Sequence, residues 1–267
     1  MSRRYPKEYI LILLFSVSLG FFSCKTTDTV IQTSDIADVP EPEAPVVQEE
    51  VDPTEGMTEE QKKFYKLSKT YDYDVVGLDL DYKLIVDDEG KEVILQFEET
   101  DSSEDWKNNK LCFPWPLNLD GQIIWTTYGY ARIYKSANNV PLEEFCKQLE
   151  AHPDYKSVIR GWSLGSAIAK IVARHYLIRA PKGTKIDEFT TFGDVKCWAN
   201  PFFSLKKYCN VIREYVNPND LVTWSMLFYR RDVTNKVGDK FSFKKARQTE
   251  YYHTHYHECD YSKWTDN

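Results

Sequence analysis

The stretch Val158–Tyr176, VIRGWSLGSAIAKIVARHY, decides how this chain is read. The run KSVIR, ending at Arg160, has the length and apolar character of a short buried strand, and SAIAKIVARHYLIRA, from Ser166 on, has that of a helix. Between them Gly161-Trp162-Ser163-Leu164-Gly165 must turn the chain. Small residues at 161 and 165 relieve crowding in such a turn, and the helix that follows directs N–H groups and the positive end of its dipole at any anion placed there. Strand, GxSxG and helix in that order form the setting in which a serine is held out as a nucleophile. The competing reading is an ordinary strand–helix turn in which Ser163 caps the helix.

A serine hydroxyl needs a base, an acid to orient that base, and donors for an oxyanion. On a hydrolase-type sheet the chain order is serine, acid, histidine. Asp220 fits the acid, because it sits in Asn217-Pro218-Asn219-Asp220 just past the predicted strand NVIREYV, and strand C-terminal ends are where α/β sheets carry function. The same four residues also read as a plain turn. Three of the five histidines, His253, His255 and His257, lie in YYHTHYHECDY. Alternation places all three on one face if that segment is a strand. The pattern also fits a zinc site, with Glu258 or Asp260 supporting the ligands.

Around these motifs strands and helices alternate, which predicts an α/β sheet. LDLDYKLIVD and KEVILQFEE flank the turn Asp88-Glu89-Gly90, Pro141 opens a helix, IDEFTTFG and NVIREYVNP read as strands, and KFSFKK reads as one more. Thr58-Glu59-Glu60-Gln61 fits a capping box at the start of the folded part. With 267 residues, 42% hydrophobic and 15% aromatic, the chain can bury a sizeable core. Its net charge of −7 carries no basic surplus of the kind that nucleic acid requires.

The N-terminus reads as processing and tether rather than fold. Arg3, Arg4 and Lys7 precede an apolar run from Tyr9 to Phe22 that is too short to span a membrane, so residues 1–24 are expected to be a signal peptide. Ser23-Cys24 resembles the lipobox of bacterial lipoproteins, which implies lipidation at Cys24, export, and anchoring at the cell envelope. Residues 25–57, rich in Thr, Asp, Pro and Glu, read as a disordered extended tether, and residues 58–267 as the folded domain. The remaining cysteines, Cys112, Cys146, Cys197, Cys209 and Cys259, allow at most two disulfides in an oxidising compartment.

From Leu78 to Tyr261 the chain resembles the fungal-type, class 3 family of triacylglycerol lipases. The motifs carrying the resemblance are VILQFEETDSSEDW, WTTYGYARIYKS, GWSLGSAIA, Thr191-Phe192-Gly193 and Val216-Asn217-Pro218-Asn219-Asp220-Leu221-Val222. The resemblance implies an α/β-hydrolase fold with a mostly parallel central sheet flanked by helices. It also implies hydrolysis of lipid esters without metal or organic cofactor. Ser163 matches the nucleophile and Asp220 the acid. The base falls on His257, which Tyr261 follows, with His253 and its Tyr256 as the alternative. Leu164 and Thr100 match the oxyanion donors, and Asp101–Leu119 the lid. Three departures stand out: Glu98-Glu99 replaces Arg-Gly beside the oxyanion position, Trp162 replaces a histidine, and Ser166 a glycine. They keep open a second reading, a hydrolase fold retained for binding.

Overall fold

Beta strand β3 (Glu92–Phe97), β6 (Lys156–Trp162), β7 (Ile186–Phe192) and β8 (Cys209–Val216) form the parallel centre of a seven-stranded sheet of order β1-β2-β3-β6-β7-β8-β9. β1 (Asp74–Val76) and β2 (Leu80–Asp87) extend it antiparallel on one side, and β9 (Asn235–Lys236) pairs parallel with the end of β8 on the other. This computed structural model describes residues 62, 73–78, 80–98, 111–199, 203–224, 229–238, 240–254 and 256. All of the fold described lies in the unit Thr54–Asn267. The expected signal peptide, Cys24, the tether, the capping box, Thr100 and His257 lie outside the described residues.

The central strands are buried for most of their length, as parallel strands covered on their faces must be. Helices α1 (Tyr128–Ser136), α2 (Val140–Ala151) and α3 (Leu164–Arg179) pack against one another and against β2, β3, β6 and β7. Pro141 stands in the first turn of α2, where its missing N–H costs nothing. Helix α3 is apolar nearly all round. Ala167, Ile168, Ile171 and Val172 are fully buried, each large aliphatic chain contributing about 1.5–3 kcal/mol.

Three segments differ from their sequence reading. Pro114–Leu119, inside the expected lid, is strand β4, paired antiparallel with β5 (Gln122–Thr127). Its alternation explains why: Leu117 and Leu119 are buried while Pro116 and Asn118 face out, and Asp120-Gly121, both at positive φ, closes a two-residue hairpin. Residues 101–110 of that expected lid lie outside the described residues. KFSFKK is no strand either. Phe243–Ala246 is a short helix, α4, and Phe243 is 82% exposed, so the aromatic alternation had no sheet face to serve. The histidine segment from Tyr251, whose alternation would share one face in a strand, begins instead inside helix α5 (Thr249–Thr254). The described cysteines Cys112, Cys146, Cys197 and Cys209 are all free thiols, so the disulfide expectation finds no pair among them.

Candidate active site

β6 and α3 meet at Ser163 with almost no connecting chain. Ser163 itself has φ 49° and ψ −117°, outside the regions a residue with a side chain prefers. Such a conformation costs about 1–3 kcal/mol and persists only where its surroundings enforce it. Here they do. Ser163 N–H donates to Phe192 O at 2.9 Å, and Ser163 O accepts from Ser166 N at 3.0 Å and Ser166 Oγ at 2.5 Å. Ser166 Oγ in turn accepts from Val195 N at 3.1 Å, so a serine where the family has glycine ties the helix to the loop after β7. Gly165 lets the helix approach β3. A Cβ at that position would stand 2.3 Å from Glu98 O and 2.7 Å from Phe97 O.

Beyond β8 the chain folds into a tight Asx turn. Asn219 N donates to Asn217 Oδ1 at 2.9 Å and Asp220 N to Asn217 O at 3.0 Å. Asn219 Oδ1 accepts from Ser242 N at 2.8 Å, fixing the turn from outside. Asp220 is fully buried at this point. Its Oδ1 accepts from Val222 N at 3.0 Å and its Oδ2 from Tyr256 OH at 2.9 Å.

The imidazole between serine and acid belongs to His253. Its Nε2 lies 2.6 Å from Ser163 Oγ and its Nδ1 2.7 Å from Asp220 Oδ2. With an ionised Asp220 the arrangement is consistent with one tautomer, in which Nδ1–H donates to the carboxylate and Nε2 accepts from the serine hydroxyl. The structure thus places the alternative, His253, at this point, and the preferred His257 lies outside the described residues. Helix α5 is why: Thr249 Oγ1 accepts from Leu221 N at 2.6 Å, docking the helix on the acid turn, and His253 lies one helical turn further on the same face. Gly193 clears the way, since a Cβ there would meet the His253 ring at 3.0 Å. The one sequence signal for His253 was Tyr256, three residues on. Its hydroxyl accepts from Asn217 N at 2.8 Å while donating to Asp220, bracing the acid from the same segment that brings the imidazole.

Trp162, which stands where the family carries a histidine, is packing. Its ring lies 5.4 Å from Phe192 and edge-on to Tyr256 at 5.7 Å, within a small cluster that also holds Tyr215 and Val237. The wall so formed seats Tyr256. Leu164 is the first residue of α3, so its N–H belongs to the helix donors that have no intrahelical acceptor, and it sits beside Ser163. The described residues thus bring Ser163, Asp220, His253 and Leu164 together.

A model of the family described as lipase (class 3) matches residues 94–229, over half of the chain and including Ser163 and Asp220. The chain belongs to the class 3 lipase family. No curated protein sequence matches it. Among solved structures it is similar to a fungal lipase in complex with an inhibitor, with TM-score 0.52 and 20% identity over 63% of this chain and 64% of that one. It is similar also to the triacylglyceride lipase of Rhizomucor miehei, with TM-score 0.51 and 19% identity over 63% and 64%. A lipase from Rhizopus microsporus var. chinensis gives TM-score 0.50 and 19% identity over 60% and 57%. This chain therefore spans less than two-thirds of the length of the structures it matches. Together with the sheet described above, these likenesses establish the α/β-hydrolase fold.

Proposed function

We propose that this class 3 lipase-family protein hydrolyses carboxylic esters of lipids, of the triacylglycerol type, through Ser163, His253 and Asp220. The observation that carries the reading is the unbroken chain of short contacts, 2.6 Å from hydroxyl to imidazole and 2.7 Å from imidazole to carboxylate. In the reaction His253 Nε2 takes the proton of Ser163 Oγ as that oxygen attacks the ester carbonyl. Asp220 holds the tautomer and stabilises the imidazolium that forms. The Leu164 N–H, with Thr100 as its proposed companion, stabilises the tetrahedral oxyanion, and losing one such donor typically costs about 10²–10³ in rate. His253 then returns the proton to the leaving alcohol, and water, deprotonated by the same imidazole, releases the acid. Every step uses side chains and backbone of this chain. Export, lipidation at Cys24 and a tether over residues 25–57 belong to the same proposal, and would hold the domain beside a membrane and its lipid substrates.

Two measurements test it. The protein should hydrolyse short p-nitrophenyl esters and react covalently with a fluorophosphonate probe, and Ser163→Ala should abolish both. Turnover unchanged in Ser163→Ala overturns the assignment. A wild-type protein that the probe leaves unlabelled overturns hydrolysis itself and favours the binding role that Glu98-Glu99 keeps open.

A further inference from the structure

Seven residues beyond Ser163, on the buried side of α3, stands a lysine that the reaction does not use. Lys170 is fully buried, and its Nζ lies 2.7 Å from Asp194 Oδ1, 3.1 Å from Glu214 Oε1 and 3.1 Å from Val195 O. Asp194 also meets Arg231, whose Nε lies 2.9 Å from Asp194 Oδ2 and whose Nη2 donates to Asp194 O at 2.6 Å. Glu214 Oε2 accepts from Asp232 N at 2.8 Å and Val233 N at 2.7 Å, clamping the segment that carries Arg231. Two cationic side chains and two carboxyl groups thus share one buried volume, where burial pushes the Glu214 carboxyl well above the usual carboxylate range. Such a group adds little net stability compared with apolar residues of the same size; its best-attested role is to fix registry.

The registry concerned ends at the acid. Arg231 Nη2 donates to Thr223 O, and Thr223 Oγ1 donates to Asp220 O at 2.8 Å. A continuous path therefore runs from the helix behind Ser163 through Lys170, Asp194, Arg231 and Thr223 to the backbone of Asp220. We propose that Arg231 is a positioning residue for Asp220, locking the acid turn to the nucleophile helix so that the carboxylate meets the His253 Nδ1–H. The inference rests on the hydrolase reading for its kinetic consequence, but its structural consequence stands apart from catalysis. A loosened acid turn frees the imidazole to exchange tautomers, whether or not the protein turns over ester.

The test compares wild type with Arg231→Met, Arg231→Lys and Thr223→Val in the full-length protein. For p-nitrophenyl butyrate, Arg231→Met should lower kcat by about 10–100-fold with KM within about twofold, since misplacing one group by a fraction of an ångström is enough. Arg231→Lys, which keeps the charge, should recover part of the loss. Thr223→Val cuts the path one step from Asp220 and should lower kcat by about 3–10-fold, half a decade to a decade below wild type. Long-range ¹H–¹⁵N correlation of the His253 ring supplies the second readout. Wild type should show Nδ1 protonated, and Arg231→Met a mixture of tautomers. A folded Arg231→Met with the kcat and the His253 tautomer of wild type overturns the proposal. Should that variant not fold, Thr223→Val decides in the same way. If wild type neither turns over ester nor takes the fluorophosphonate, the hydrolase reading fails, and the tautomer comparison still decides the positioning role.

Discussion

Helix α3 carries a hydroxyl–imidazole–carboxylate array at each end, and the two ends have little else in common. At its start, His253 joins Ser163 and Asp220 at 2.6 and 2.7 Å. Twelve residues along, His175 on the helix itself shares a hydrogen bond of 2.6 Å with Tyr134 OH through Nδ1, while its Nε2 lies 2.9 Å from Asp120 Oδ2 without hydrogen-bond geometry. Distances alone do not tell the arrays apart; their surroundings do. Ser163 is forced out of the sheet on strained backbone at the N-terminal end of the helix, where an anion is favoured. Tyr134 is buried, and burial pushes its phenol well above the ordinary range, away from any nucleophilic role. Burial likewise lowers the His175 pKa. Asp220 is sealed from solvent, whereas Asp120 is half exposed at a hairpin tip and shared with Arg179 at 2.6 Å. The second array fastens the β4–β5 hairpin to α3.

The comparison breaks if the arrays respond alike to loss of their imidazoles. His253→Ala should lower kcat/KM by about 10³-fold or more, the scale on which such arrays fail as a unit. His175→Ala should leave kcat/KM within about twofold of wild type. It should instead strand a buried hydroxyl at a cost of about 1–3 kcal/mol, and so lower the melting temperature by about 2–12 °C. Steady-state kinetics and thermal denaturation of both variants settle the point. His257→Ala belongs in the same series, with near wild-type kinetics expected.

Which parts of this were legible in the sequence follows from the range of the interactions. The turn at Ser163 and the acid turn at Asp220 are written in contiguous residues, GWSLG after a strand and NPND after another, because the steric demands that define them are local. The parallel centre, β3, β6, β7 and β8, was legible for the same reason: each strand is a short stretch rich in β-branched and aromatic residues. The histidine was not. His253, His255 and His257 alternate, which would set all three on one face of a strand, but Thr249 docks Thr249–Thr254 on the acid turn as a helix. That choice depends on Leu221, Gly193 and Tyr256, which local pattern does not connect. KFSFKK misled similarly, since its alternating Phe241 and Phe243 are half or more exposed and bury against no sheet. The buried Lys170 was hidden for a different reason. A lysine in an apolar helix carries no local sign of the carboxylates that neutralise it, 24 and 44 residues further on at Asp194 and Glu214.

A smaller effect sharpens what the strained end of α3 requires. Gly165→Ala places a methyl against the backbone oxygens of Glu98, just past β3, and Phe97, its last residue, at 2.3 and 2.7 Å, and these cannot rotate aside. The helix start must shift, at a cost of about 1–3 kcal/mol. Because Ser163 and the Leu164 N–H move with it, kcat should fall further than the loss of stability accounts for, by about 10–100-fold. A variant that loses melting temperature but keeps wild-type kcat in its folded fraction would show that the serine tolerates movement of its helix.

The smallest effect tests the other end by pH. Arg179, and then His175, hold the Asp120 carboxyl at about 2, below the ordinary value of about 3.9. A carboxylate whose pKa is depressed on folding stabilises the fold above its unfolded pKa, and that contribution is lost as pH falls through the folded one. Asp120→Asn, which also suits the positive φ of the hairpin tip, mimics the protonated acid. Wild type should therefore exceed Asp120→Asn in urea midpoint by a constant small margin at neutral pH, and the margin should close between about pH 4 and pH 2. Screening at this half-exposed site keeps the margin small, and 1 M salt should reduce it further. Fluorophosphonate labelling of Ser163 should be the same in both proteins, because an array that only fastens a hairpin has no route by which its charge reaches the serine about 18 Å up the helix axis, twelve residues at about 1.5 Å each.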